Sequence, residues 1–155
     1  MKQILLTVLL LLASSAWADP WGDALDAHLR GDFAAELKIT RPLATKGEAW
    51  AQSNLGGMYV NGEGVLQDYA EAVKWFKLAA AQGSEMAQYN LGRMYAIGQG
   101  VPIDYVRAHM WFNLVAVKGT GGKNRDILAK KMTPQQIAEA QKLARECQAR
   151  DFKGC

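Results

Sequence analysis

The stretch AQSNLGGMYVNGEGVLQDYAEAVKWFKLA (51–79) returns 36 residues later as AQYNLGRMYAIGQGVPIDYVRAHMWFNLV (87–115). Between 51–83 and 87–119, 18 of 33 positions are identical. A period of this order marks a solenoid array, because one helical hairpin cannot bury its apolar face alone and needs a neighbour stacked on it.

Each copy reads as two helices. Ala49 to Tyr59 form the first, where Ala51, Leu55 and Tyr59 share a face at four-residue steps, echoed by Leu91 and Tyr95. Gly56 and Gly92 sit inside that helix at a propensity cost of about 1 kcal/mol each. That cost makes sense where two helices touch and leave no room for a β-carbon. Asn54 and Asn90 read as structural, with amides that meet a neighbouring loop carbonyl. The connector 61–67 and its match 97–103 carry paired glycines (Gly62 and Gly64, Gly98 and Gly100) that supply turn geometry. A phosphate-cradling loop is the rival reading, and the Walker and dinucleotide spacings it requires are absent. Val65 and Val101 tuck the connector onto the core.

Asp68 and Asp104 start the second helices as N-caps, and Glu71 completes a capping box after Asp68. The inner stripes are Ala72, Trp75, Phe76, Ala79 and Ala108, Trp111, Phe112, Val115. Alanines let helices approach, and each Trp-Phe pair fills the space between hairpins. Gly83 and Gly119 end these helices.

A degenerate copy, 21–47, precedes the pair, with Asp32-Phe33 matching Asp68-Tyr69 and Gly47 matching Gly83. After 119 the register fades. Residues 120–123 read as a loop and 125–130 as a helical segment. Thr133-Pro134-Gln135-Gln136 opens a helix to about Gln148 that buries Ile137, Ala140, Leu143 and Ala144. The segment 120–150 is thus expected to cap the array, and 19–155 to form one domain.

The chain opens with Lys2, an apolar run from Ile4 to Leu12, and Ala16-Trp17-Ala18, the pattern of an export signal. The run is short of the about 20 residues that span a bilayer, and an uncleaved anchor is the alternative. Cleavage after Ala18 leaves 137 residues from Asp19, in a periplasm or outside the cell, with no stable membrane span. The formal charge of +3 falls to +2 without Lys2, and its basic residues are dispersed. Export and weak charge together exclude a nucleic-acid role. An oxidising compartment permits a Cys147–Cys155 disulfide. A straight helix sets residues eight apart at about 12 Å, beyond the about 7 Å that a bridge tolerates. A bond therefore requires the chain to fold back after the helix, and Gly154 can help; otherwise the two remain free thiols.

The pattern at 51–79 strongly resembles the Sel1-like repeat family, relatives of tetratricopeptide repeats with a longer inter-helix loop. The resemblance covers 48–83 and 84–119 closely and 21–47 weakly. Arg125-Asp126-Ile127-Leu128, Met132-Thr133 and Ala140–Ala144 are similar to the capping helix of exported members. The resemblance implies an all-α, right-handed α/α superhelical solenoid with a C-terminal capping helix. It also implies a non-enzymatic adaptor or regulator that binds a protein or peptide on its concave face. It places the outward positions of the first helices at Trp50, Ser53, Gly57, Val60 and at Met86, Tyr89, Arg93, Ala96. Of these, Trp50, Met86, Tyr89 and Arg93 are the types enriched at interface centres. Trp50 could instead pack under the degenerate copy.

A cell-wall or polysaccharide binder is the alternative and a hydrolase the distant one. His28 and His109 are the only histidines, and neither has a local metal-ligand pattern. His109 matches Val73 and reads as a partly buried packing residue. No metal, cofactor or catalytic group is assigned. The cysteine pair in each repeat that accompanies β-lactam chemistry in some relatives is missing. Oligomeric state is open, since an imperfect cap would extend the stack.

Overall fold

The computed structural model describes residues 19–116, 119 and 121–155, and among them every regular element is a helix. The expected export segment, 1–18, lies outside the described residues. The helices are α1 (Pro20–Leu29), α2 (Phe33–Lys46), α3 (Ala49–Asn61), α4 (Tyr69–Ala80), α5 (Glu85–Ile97), α6 (Tyr105–Ala116), α7 (Gly122–Ala129) and α8 (Pro134–Ala149). Three aspartates at 36-residue intervals start the second helix of each hairpin. Asp32 Oδ1 accepts from Ala35 N at 3.0 Å, Asp68 Oδ1 from Ala70 N and Glu71 N at 2.9 and 3.0 Å, and Asp104 Oδ1 from Arg107 N at 2.9 Å. The box at Asp68 is not completed: the Glu71 carboxylate turns instead to Lys74, one turn further on.

The hairpins α1–α2, α3–α4 and α5–α6 stack in order, with α2 against α3 and α4 against α5. The main core runs from Ala72, Phe76 and Ala79 of α4 through Leu91 and Met94 of α5 to Ala108, Trp111 and Phe112 of α6. A smaller cluster of Ala44, Ala51, Leu55 and Met58 joins α2 to α3. Trp111 is buried while Trp75 is half-buried, so the matching tryptophans are not equivalent. His109 is 2% exposed, more deeply buried than its polarity implies.

The amides that meet a neighbouring carbonyl are not those of Asn54 and Asn90. They belong to Gln52 and Gln88, two positions earlier. Gln52 Nε2 donates to Ala44 O at 3.2 Å and Gln88 Nε2 to Ala80 O at 3.3 Å, each reaching the last turn of the preceding hairpin. Buried amides that find such partners fix the stacking register.

The helix-interior glycines are explained by contact. A β-carbon on Gly56 would lie 2.7 Å from Phe76 Cε1, and one on Gly92 2.7 Å from Phe112 Cε1. Gly57, the next residue, has nothing within 4 Å of that position. This pair gives a test of sign. Gly57→Ala should stabilise the chain by about 0.5–1 kcal/mol through helix propensity. Gly56→Ala should destabilise it by about 1–2 kcal/mol, because overpacking a buried ring exceeds that gain. Urea unfolding of the two variants reads the difference directly. In the connector, Gly100 has φ +70° and its β-carbon would meet Tyr69 O at 2.3 Å. The loop thus presses on the start of α4 from the hairpin before, where only glycine fits.

At the C-terminal end, α7 begins at Gly122, so Lys123 is helical and the loop is shorter than its composition suggests. Thr133 and Gln136 form the expected capping box, at 3.2 and 2.9 Å. In α8, Ala140 and Ala144 are buried, Ile137 and Leu143 half-buried, and Cys147 fully buried. Beyond α8 the chain reverses through Asp151 (φ 47°), Phe152 (φ 63°) and Gly154 (φ 71°). That reversal brings Cys147 and Cys155 to a Cα–Cα distance of 5.6 Å, and they are bridged.

Candidate functional site: the inner groove

The inward faces of α1, α3 and α5 line a groove with two clefts. The N-terminal cleft, about 270 Å³, is lined by Leu25 and His28 of α1, Glu36 of α2, Ser53, Asn54, Gly57, Met58 and Asn61 of α3, Glu63 of the connector, and Met86 and Asn90 of α5. The C-terminal cleft, also about 270 Å³, is lined by Arg93, Ala96 and Ile97 of α5, Tyr105 and Phe112 of α6, Asn124, Ile127 and Leu128 of α7, and Lys131.

The open face of α5 is Met86, Asn90, Arg93 and Ile97, spaced as one helical stripe. In α3 the same repeat positions are Trp50, Asn54, Gly57 and Asn61, the last three of which line the N-terminal cleft. Of the expected outward positions, Ser53, Gly57, Met86, Arg93 and Ala96 line the clefts, and Asn54, Asn61, Asn90 and Ile97 line them beside these. Ser53, expected to face outward, is 1% exposed, and its hydroxyl bonds that of Ser84 at 2.7 Å. Since Ser84 caps α5, this contact ties the Ser53 side of the cleft to the start of α5.

The four expected anchors separate. Met86 is 48% exposed at the N-terminal cleft, and Arg93 is exposed at the C-terminal one. Tyr89 is a strut: its ring lies 5.7 Å from that of Phe112, and its hydroxyl accepts from Asn124 Nδ2 at 2.8 Å, tying α7 to α5. Trp50 is half-buried against the smaller cluster, under the degenerate hairpin. The reading missed Asn54 and Asn90 as groove residues. Neither side chain makes a hydrogen bond within the described residues, and both line the N-terminal cleft. The recurrence of a polar residue at one position of a helix interior was the available signal.

The two ends of the groove differ in charge. Glu36 is 3% exposed and its Oε2 lies 3.0 Å from His28 Nδ1, with Glu63 nearby on the rim. At the other end Arg93 and Lys131 are the charged side chains, among apolar neighbours. Both cysteines are bridged, so neither offers a thiolate. Among the described residues no group of three or more His, Cys, Asp or Glu converges as a metal site requires. No described helix is long and apolar enough to cross a membrane.

Behind the C-terminal cleft, His109 Nδ1 is buried and has no hydrogen-bond partner among the described residues. Burial, and to a lesser degree the Arg125 cation, hold its pKa below the usual 6.5, against the opposing pull of Asp126. The unfolded chain therefore binds more protons than the folded one between that lowered value and about 6.5. Stability is complete above about pH 6.5 and falls as the pH drops through this window. His109→Val, which installs the residue found at position 73, should remove a slope of up to about 1.4 kcal/mol per pH unit in denaturant unfolding.

The Sel1 repeat profile matches residues 51–84 and 85–116. Among solved structures, the chain is similar to c5321, a protective antigen of uropathogenic Escherichia coli strains displaying an SLR fold. The match has 33% identity and a TM-score of 0.79, over 87% of this chain and 31% of that one. It is also similar to a Sel1 repeat protein from Oxalobacter formigenes, with 37% identity and a TM-score of 0.59, over 61% of this chain and 28% of that one. The chain thus spans about a third of the length of these relatives. No curated protein matches it.

Proposed function

We propose, for a chain that belongs to the Sel1-like repeat family, that the inner groove holds an extended segment of a partner protein. The chain is a repeat-built interaction module rather than a catalyst. The observation that carries the groove reading is the pair Asn54 and Asn90. A side-chain amide offers a donor and an acceptor together, which matches the N–H and C=O of an extended backbone. Two such amides at one repeat position, unpartnered inside the fold and lining one cleft, supply backbone hydrogen bonds without demanding a particular sequence. Met86 and Gly57 in the same cleft, and the C-terminal cleft beyond it, then select side chains.

Sugar binding is less favoured, because stacking needs exposed rings. Of the rings that line the two clefts, Phe112 is buried and Tyr105 half-buried, and Trp50 and Tyr89 are packed. An extracytoplasmic setting is supported by the likeness to a protective antigen, by the bridged cysteines, and by the export-like residues 1–18. We place the protein in the periplasm or outside the cell.

The test is capture from the envelope fraction by immobilised chain, beside Asn54→Ala/Asn90→Ala. Both residues lack internal partners, so this variant should keep its unfolding midpoint. A discrete partner held by the parent and weakened at least tenfold by the variant is the expected result. Equal retention by both would move the site off the groove.

A further inference from the structure

We propose that the C-terminal cleft binds the free α-carboxylate of a partner chain whose last side chain is apolar. The inference rests on the groove reading above and names the end of the segment that the groove would hold.

Arg93 and Lys131 are the charged residues of this cleft, and no carboxylate lines it. Neither cation has an ion pair or hydrogen bond among the described residues. The surroundings are apolar: Phe112 lines the cleft, and Ile97 and Ile127 stand at it 54% and 52% exposed. Two unneutralised cations beside half-exposed isoleucines are complementary to one kind of ligand group, an anion carried next to an apolar side chain. A guanidinium matches a carboxylate with paired N–H bonds, and an ammonium adds a second point charge. An inorganic anion would use the cations and leave the isoleucines idle. A chain terminus uses both, since its last residue carries carboxylate and side chain on one carbon.

The rest of the groove agrees in direction. Asn90 and Arg93 belong to one stripe of α5, three residues or about 4.5 Å apart. That span equals about one to two residues of extended chain. With its terminus between Arg93 and Lys131, a bound segment would pass Asn90 one or two residues earlier and enter the cleft of Glu36 and Glu63. The unpaired cations at the basic end attract a carboxylate and the other cleft offers none, so the groove favours one direction for the segment.

The experiment is an array of ten-residue peptides ending in Leu, Ile, Val, Phe, Gly or Glu, each as free acid and as amide. It is probed with the full chain, with Arg93→Gln/Lys131→Gln and with Asn54→Ala/Asn90→Ala. Free acids ending in an apolar residue should bind at least tenfold better than their amides. The Arg93→Gln/Lys131→Gln chain should bind acid and amide alike, at the amide's level. Loss with Asn54→Ala/Asn90→Ala but no difference between acid and amide would overturn the terminal-carboxylate assignment and leave the groove reading standing. Amides ending in Glu that bind as well as apolar free acids would also overturn it, by showing recognition of negative charge alone. No binding to any peptide would sink both readings.

Discussion

Phe112→Ala should cost about 3–5 kcal/mol and be the most damaging single truncation in the second repeat. The ring is 3% exposed and lies where the β-carbon of Gly92 would otherwise be, so α5 and α6 meet across it. With glycine on the facing helix, no side chain is there to collapse into the void. The same ring packs at a tilt against Tyr89 and lines the C-terminal cleft. Loss of stability should therefore come with loss of order in α7, visible as faster hydrogen exchange across 122–129 than across the first hairpin. Denaturant unfolding gives the first quantity. A cost under about 1 kcal/mol would mean that the hairpin does not depend on this contact.

The second large effect is expected at the disulfide. Closing a loop of this length restricts the unfolded chain by about 2.5 kcal/mol in the chain-entropy picture. Cys147 is also fully buried, so the bridge anchors the reversed tail to the face of α8 that meets the core. The tail in turn brings Phe152 onto the core beside Gly83, at the turn between α4 and α5. Cys155→Ser, or reduction, should lower stability by about 2–4 kcal/mol and release the cap before the repeats. A reduced chain with the midpoint of the oxidised one would show that the cap is held by α8 packing alone.

What the sequence revealed and what it hid follow from one distinction. Periodicity and repetition report what every copy must do. The aspartate caps, the glycines facing Phe76 and Phe112, and the start of α8 at Thr133 were all legible because each solves a local or repeated problem. The groove was legible only in outline, because its orientation depends on the twist between hairpins, which no single repeat encodes. Ser53, bonded to Ser84 across the hairpin interface, lines the cleft but is buried, and Asn54 beside it is more open. Tyr89 has a contact that was hidden for a similar reason. Its partner Asn124 comes from α7, in the segment where the repeat register fades. Glu71 shows the converse: its spacing fits a capping box, and a nearer lysine takes the carboxylate.

Site-specific photocrosslinking in the native envelope tests the central claim most directly. A benzophenone side chain would replace Gly57 or Ile97, both on the groove, or Leu78, which is 51% exposed on α4 and lines neither groove cleft. The groove account predicts discrete adducts with one partner from positions 57 and 97 and none from 78. Adducts from 78 with silence at 57 and 97 would contradict it and place recognition outside the inner groove.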